Sequence, residues 1–199
     1  GDSPGEPFSA VVLNRVYSLG NYALCEAAGG VLNRDFSHHT VEYPAAVTVK
    51  SFEYTSWLES CDAVINFSKL KAHGLMGMTA AVKNLYGVIP GTVKSEYHFR
   101  YPDPTAFANM LVDLNEYVRP VLCLCDAVDI MEGNGPTAGK PRPLGAILAG
   151  TDPSKLDLVC ARVIGLDPQR VPTLVKAMAC GLLLQTEEPE AAGWSEDFV

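Results

Sequence analysis

Between Ala63 and Ser95 the chain carries no aspartate or glutamate, although 23 of its 199 residues are acidic. Random scatter would leave about 4 in that window, so its charge is set apart from the rest. Other absences exclude whole classes of protein. No Cys-x-x-Cys occurs, so the chain holds no ferredoxin-type cluster run. There is no His-Glu-x-x-His and no serine nucleophile elbow, which disfavours a zinc protease and a serine hydrolase. No apolar run is long enough to cross a membrane, and no basic, apolar secretory leader is seen. A net charge of −8 and a pI near 4.9 lack the basic footprint of a nucleic-acid binder. Neither nucleic acid nor membrane is therefore expected as a partner.

What is present suits one α/β core. At 48% hydrophobic, 199 residues can bury a substantial interior, so a single domain is expected over 1–186, followed by an acidic tail over 187–199. Six cysteines without a dense regular framework point to reduced thiols and a cytoplasmic address. Asp2-Ser3-Pro4-Gly5 is a turn of the kind that follows a strand. None precedes it here, so upstream strands, and part of the site with them, are expected beyond Gly1.

The expected elements follow in order. Phe8 to Ala28 reads as helix in two pieces broken near Gly20, with Val11, Val12, Val16 and Leu19 as its stripe. Strands are expected over 31–36 and 47–54, with His38 and His39 solvated on the loop between them. Asp103-Pro104 starts a helix that Arg119-Pro120 ends. Val121 to Cys125 and Leu144 to Ala149 read as strands, Cys123 and Cys125 as small thiols filling a sheet core. Asp152-Pro153 caps a further helix to Gly165, and another runs from Pro172 to Ala179. Strands alternating with helices imply an α/β fold: a largely parallel or mixed sheet flanked by helices, in three layers.

The chain is organised around Asp62 to Gly91. Ala63-Val64-Ile65 and Phe67 read as a buried strand running out into Lys69, Lys71 and His73, which share one side if the extended geometry persists. Thr79 is a plausible cap for a short helix, Ala80 to Tyr86, carrying Lys83 and Asn84. A strand, a basic glycine-containing loop and a helix start can together offer cations and N–H groups to an anion. Lys71 and Lys83 would bind a phosphate or carboxylate, or one would act as a base if burial depresses its pKa. His73 would serve as a general acid/base or a metal ligand. Asn84 would orient a substrate or the loop backbone. His98 has a weaker claim.

A second loop, Asp126 to Pro141, half resembles phosphate loops and fails both tests. Pro141 stands where a P-loop needs its hydroxyl, and Gly133-x-Gly135 is followed by proline with no helix start. What remains is a glycine-rich turn, Gly133-Asn134-Gly135, expected to face the substrate, with Asp126, Asp129 and Glu132. Asp126 and Glu132 could hold a hard divalent cation, or the three carboxylates could neutralise Lys71, Lys83 or His73.

Ile65 to Gly74 (INFSKLKAHG), followed by Thr79 to Gly87 (TAAVKNLYG), strongly resembles domain-of-unknown-function family 362. Asp126 with Glu132 to Pro136, Asp152 with Asp157, and the opening GDSPG extend the match over nearly the whole chain. The resemblance implies association with iron–sulphur domains, so any cluster ligands would come from a partner or from further sequence. It also implies a lysine–proline–asparagine element that this chain does not contain. The leading expectation is an enzyme core acting on a small anionic substrate between the two loops. The alternatives are an iron–sulphur-associated redox protein and a non-catalytic anion-binding module.

Overall fold

A computed structural model describes residue 1 and residues 3–184; the expected acidic tail lies outside the described residues. In chain order the helices are α1 (Ala10–Leu19), α2 (Ala23–Ala27), α3 (Ala81–Asn84), α4 (Val93–Arg100), α5 (Pro104–Val118), α6 (Pro153–Val163) and α7 (Pro172–Ala179). The strands are β1 (His38–Glu42), β2 (Ser51–Thr55), β3 (Ile65–His73), β4 (Gly77–Thr79), β5 (Leu122–Glu132) and β6 (Lys140–Gly150). Two compact units form, one from 1–62 with 86–102, the other from 63–85 with 103 onward.

In the first unit the two expected helical pieces are α1 and α2, and the chain between them passes through Asn21 at φ 55°. The strand expected over 31–36 does not form. Asn33 and Asp35 bind nearby backbone instead: the Asp35 N–H reaches Asn33 Oδ1 at 3.0 Å and the Ser37 N–H reaches Asp35 Oδ1 at 2.8 Å. Such local bonds compete with a ladder. The first strand starts at His38, so the histidine pair lies on β1 and not on a loop. His38 sits 2.8 Å from Glu53, and His39 2.9 Å from Glu59. β1 pairs antiparallel with β2. Helix α4 was not foreseen, because Tyr97 is its one buried side chain and it shows no apolar stripe. The Ser3 hydroxyl is buried, donating to the Ile89 carbonyl at 3.0 Å and accepting the Gly91 N–H at 2.9 Å.

The second unit holds a mixed sheet in the order β4-β3-β5-β6. Only β3 and β5 run parallel, with Ile65 opposite Leu122 and Lys69 opposite Asp126. On β3, Asn66, Ser68 and Leu70 are buried, while Ile65 and Phe67 face outward and are exposed. Cys123, Cys125 and Ala127 of β5 join Leu70, Leu156, Cys160, Ala161 and Leu174 in the core, the interior role expected of the two β5 thiols. Helix α5 starts as its sequence dictates: Asp103 accepts the Ala106 N–H at 2.9 Å, with Pro104 in the first turn. Asp152 does the same for α6 through the Lys155 N–H at 2.9 Å.

Both β5 and β6 are longer than expected. Ala127 and Ile130 are buried, so β5 continues past Asp126 to Glu132, with a register shift between Ala127 and Asp129. The broad acidic loop expected over 126–141 is thereby reduced to a turn over 133–139. Asp126, Asp129 and Glu132 all lie on the strand.

Candidate functional site

All the expected site residues except His98 fall in the second unit. The extended geometry of β3 does persist through His73, which carries Lys69, Lys71 and His73 beyond the apolar half of the strand. Each cation has a different setting. Lys69 pairs with Asp126 at 2.8 Å, and this pairing holds the Asp126 carboxyl below its usual range. Lys71 sits opposite Thr79 on β4 and Met131 on β5. Among the described residues, Lys69–Asp126, Arg119–Glu116 and Arg142–Glu132 form ion pairs in this unit, and Lys71 takes part in none of them. His73 turns its Nδ1 onto its own loop, accepting the N–H groups of Leu75 at 3.2 Å and Met76 at 3.3 Å. That nitrogen fixes the Gly74–Gly77 turn.

Helix α3 is short, and its ends are held from outside. The expected cap, Thr79, is instead the last residue of β4, and Ala80 at the cap position offers no side-chain oxygen. The acceptor comes from α6. Asp157 Oδ1 takes the Ala81 N–H at 2.6 Å and the Val82 N–H at 3.3 Å. Asn66 Nδ2 donates to the Ala81 carbonyl at 2.8 Å, and Asn115 Nδ2 to the Val82 carbonyl at 2.8 Å. Asn84 Nδ2 donates to Asn66 Oδ1 at 2.8 Å and to the Phe67 carbonyl at 3.0 Å. Asn84 thus orients backbone, tying α3 to β3. Lys83, half-buried, projects over the Phe107 ring with Nζ 5.7 Å from its centroid.

Lys83 is displaced from the usual lysine range. Burial, then the charge of Lys71, push its pKa down to about 8. Both influences disfavour the ammonium form, so Lys71 and Lys83 make a concentrated positive locus with a share of neutral amine near pH 7. The Thr79 hydroxyl, cross-strand partner of Lys71, is buried with no hydrogen-bond partner among the described residues. A buried hydroxyl normally finds one.

The two loops meet. The Gly74 N–H points at the Gly135 carbonyl over 3.4 Å, and a Cβ on Gly135 would overlap the Ala72 carbonyl. Gly133, at φ 82°, makes the turn after β5, and the Asn134 carbonyl accepts the Ala138 N–H at 3.0 Å. The backbone of this turn therefore forms a wall against the basic loop. Asp126 and Glu132 do not converge. They occupy β5 six residues apart, on the order of 15–20 Å along a strand, whereas one cation needs oxygens within about 2.3–2.6 Å. Asp126 is engaged by Lys69 and by the Val128 N–H at 2.9 Å, and Glu132 lies 3.6 Å from Arg142. Neither carboxylate lies against Lys71, Lys83 or His73 as an ion pair. Among the described residues no group of three His, Cys, Asp or Glu side chains is placed to hold a metal ion. The described residues therefore do not fit a divalent metal or a cluster. His98 belongs to the first unit, its ring edge-on to Tyr86 at 5.7 Å.

Asn66 and Asp157 position the site, yet neither stood out as a candidate in the sequence. The available signal was polarity at buried phase: Asn66 shares parity with Ser68 and Leu70, and Asp157 falls among Leu156, Leu158, Cys160 and Ala161 on the buried side of α6.

The model of "Domain of unknown function (DUF362)" matches residues 1–162. The "Thylakoid-associated protein sll1697" of Synechocystis sp. is 39% identical over 122 residues, covering 61% of this chain and 38% of that protein. The chain thus matches well under half the length of that relative. No solved structure matches it. Among the described residues no helix is long and apolar enough to cross a membrane.

Proposed function

The chain belongs to the DUF362 family, and from that premise we propose that its second unit is the core of an enzyme that binds a small phosphate- or carboxylate-bearing substrate at Lys71 and Lys83. The observation that carries this reading is the half-buried Lys83, whose pKa is lowered first by burial and then by the charge of Lys71. A bound anion acts against both causes, since negative charge beside Lys71 and Lys83 favours the ammonium form. The acid-free window means that the local chain does not cancel this charge itself. On β5, Asp126 is directed to Lys69, and Glu132, next to the Met131 that lies opposite Lys71, is 3.6 Å from Arg142. The Thr79 hydroxyl adds a donor beside Lys71, and the Gly133–Gly135 turn and His73 loop close the neighbouring rim. Proton transfer suits these residue types, with Lys83 as the base.

Titration calorimetry with phosphate and oxalate tests the site. Lys71→Ala and Lys83→Ala should each weaken binding by about 10- to 100-fold, the worth of a charge-assisted contact. Equal affinity in wild type and both variants for every anion that binds would remove the site. A reducing cytoplasm is the address we propose, since all six cysteines are free thiols. The thylakoid association of the relative is the rival, which fractionation of the native protein separates.

A further inference from the structure

We propose that Ser56, His39 and Glu59 form a second, hydrolytic site in the first unit, where the Ser56 hydroxyl takes up the acyl group of a small uncharged carboxylic ester. This site is independent of the anion site above. The three side chains make one continuous run of hydrogen bonds: Ser56 Oγ lies 3.0 Å from His39 Nδ1, and His39 Nε2 lies 2.9 Å from Glu59 Oε1. A nucleophile on a base, with the base on an orienting carboxylate, is the arrangement that activates a serine. The fold explains why they meet. β1 and β2 pair with His39 opposite Tyr54, and Ser56 directly follows β2. It opens the 3₁₀-helix Ser56–Ser60, whose three-residue turn puts Ser56 and Glu59 on one side, with the imidazole bridging them. The Ser56 N–H donates to the Ser37 carbonyl at 3.0 Å, and the Tyr54 ring meets the His39 ring edge-on at 6.5 Å. Backbone and imidazole are both braced.

The carboxylate decides the tautomer. Glu59 only accepts, so His39 Nε2 carries the proton of that bond, and in the neutral ring Nδ1 is left to accept from the Ser56 O–H. In the first step Ser56 Oγ bonds to the ester carbonyl carbon while its proton passes to Nδ1. The carbon–oxygen bond to the alcohol then breaks, and Nδ1 gives the proton to the departing oxygen. Water repeats the sequence on the acyl-serine: it loses a proton to Nδ1, the carboxylic acid leaves and Ser56 recovers its hydrogen. Nothing is oxidised or reduced. The setting limits the substrate. The His39 and Glu59 side chains are 39% and 54% exposed, so water carries much of the developing oxyanion charge, which suits an ester with a good leaving group and not an amide. Glu53 and Glu59 stand beside the histidine pair and disfavour a negatively charged acyl group. No serine elbow announces such a site, because a triad is defined by geometry and not by sequence order.

An alkyl fluorophosphonate and p-nitrophenyl acetate, each applied to the full chain, test the proposal. The first reagent forms a bond from Oγ to phosphorus and expels fluoride, so peptide mass mapping reads which serine is nucleophilic. Ser56 should be labelled about tenfold faster, or more, than the exposed Ser60 and Ser95, and Ser56→Ala should remove the ester hydrolysis. His39→Gln keeps a polar side chain that takes up no proton, and it should slow both reactions by about 100-fold or more. Glu59 is a positioning residue: Glu59→Gln should slow them by about tenfold at an unchanged melting temperature, and Glu59→Asp should restore part of the rate. Labelling of Ser56 no faster than that of Ser60 overturns the site, as does ester hydrolysis that Ser56→Ala leaves unchanged. A His39→Gln variant that reacts at the full wild-type rate overturns the assignment of the base.

Discussion

Asp157→Ala should be among the most damaging single substitutions in the second unit. The carboxylate is 2% exposed and lies under the start of α3, where it receives the Ala81 N–H at 2.6 Å and the Val82 N–H at 3.3 Å. Nothing on α3 can take over, because its own cap position is an alanine. Truncation strands two buried amide donors at about 1–3 kcal/mol each and removes a cap worth about 0.5–2 kcal/mol. The two counts overlap, so the expected loss is about 2–4 kcal/mol. Asp157→Asn keeps one acceptor and should lose about 1 kcal/mol. Guanidinium unfolding with an unchanged m-value reads these differences directly. An Asp157→Ala variant within about 0.5 kcal/mol of wild type would show that α3 is not held from α6.

The same group fixes a sign in the pH dependence. Burial raises the Asp157 pKa well above its usual value, with the Cys125 thiol adding to the rise and the two amide bonds opposing it. The folded state therefore holds this proton more tightly than the unfolded chain. Its contribution to stability falls as the pH rises from the unfolded carboxylate value of 3.8 toward the folded one. Asp157→Asn should flatten that fall. A slope identical to wild type would assign it to some other group.

Two further substitutions separate folding from function. Lys83→Met should stabilise the protein near pH 7 by about 1–3 kcal/mol, because the folded state depresses this pKa to about 8. The unfolded lysine keeps its proton longer, so wild-type stability recovers between about pH 8 and 10.5 and the gap between the two melting curves should close there; a constant gap would contradict the assignment. Gly135→Ala should cost about 1–3 kcal/mol by forcing the β5–β6 turn off the Ala72 carbonyl, and a melting temperature equal to wild type would show that the two loops do not abut.

Elements set by local chemistry were legible from the sequence. Asp103-Pro104, Asp152-Pro153 and Pro172 start helices where expected, because an N-cap oxygen or a first-turn proline acts within a few residues. The misplacements share a non-local cause. β5 runs on to Glu132 because β6 pairs with it, and the carboxylates that looked like a loop cluster are strung out along the ladder. Thr79 looked like a cap because the true acceptor, Asp157, lies 76 residues beyond the Ala81 N–H that it receives. The charge gap pointed to four lysines, Lys69, Lys71, Lys83 and Lys94, and Asn84 was named with them, whereas Asn66 and Asn115, which hold α3, became visible only once β3, α3 and α5 were packed together.

The acid-free window acquires its meaning from the carboxylates that do reach it. Two arrive from distant sequence, and each has a defined partner: Asp126 takes Lys69 at the rim, and Asp157 takes backbone N–H groups beneath the helix. Here the named influences on Lys83 are burial and a second lysine, and both act against its charge. Folding has no use for that arrangement, since an apolar side chain over Phe107 would bury the same surface without a charge to desolvate. An anion bound beside Lys71 and Lys83 acts against both influences, so part of that cost returns as affinity. If Lys83→Met both stabilises the free protein and abolishes oxalate binding, stability and function pull in opposite directions at this one position, as expected of a site and not of a core.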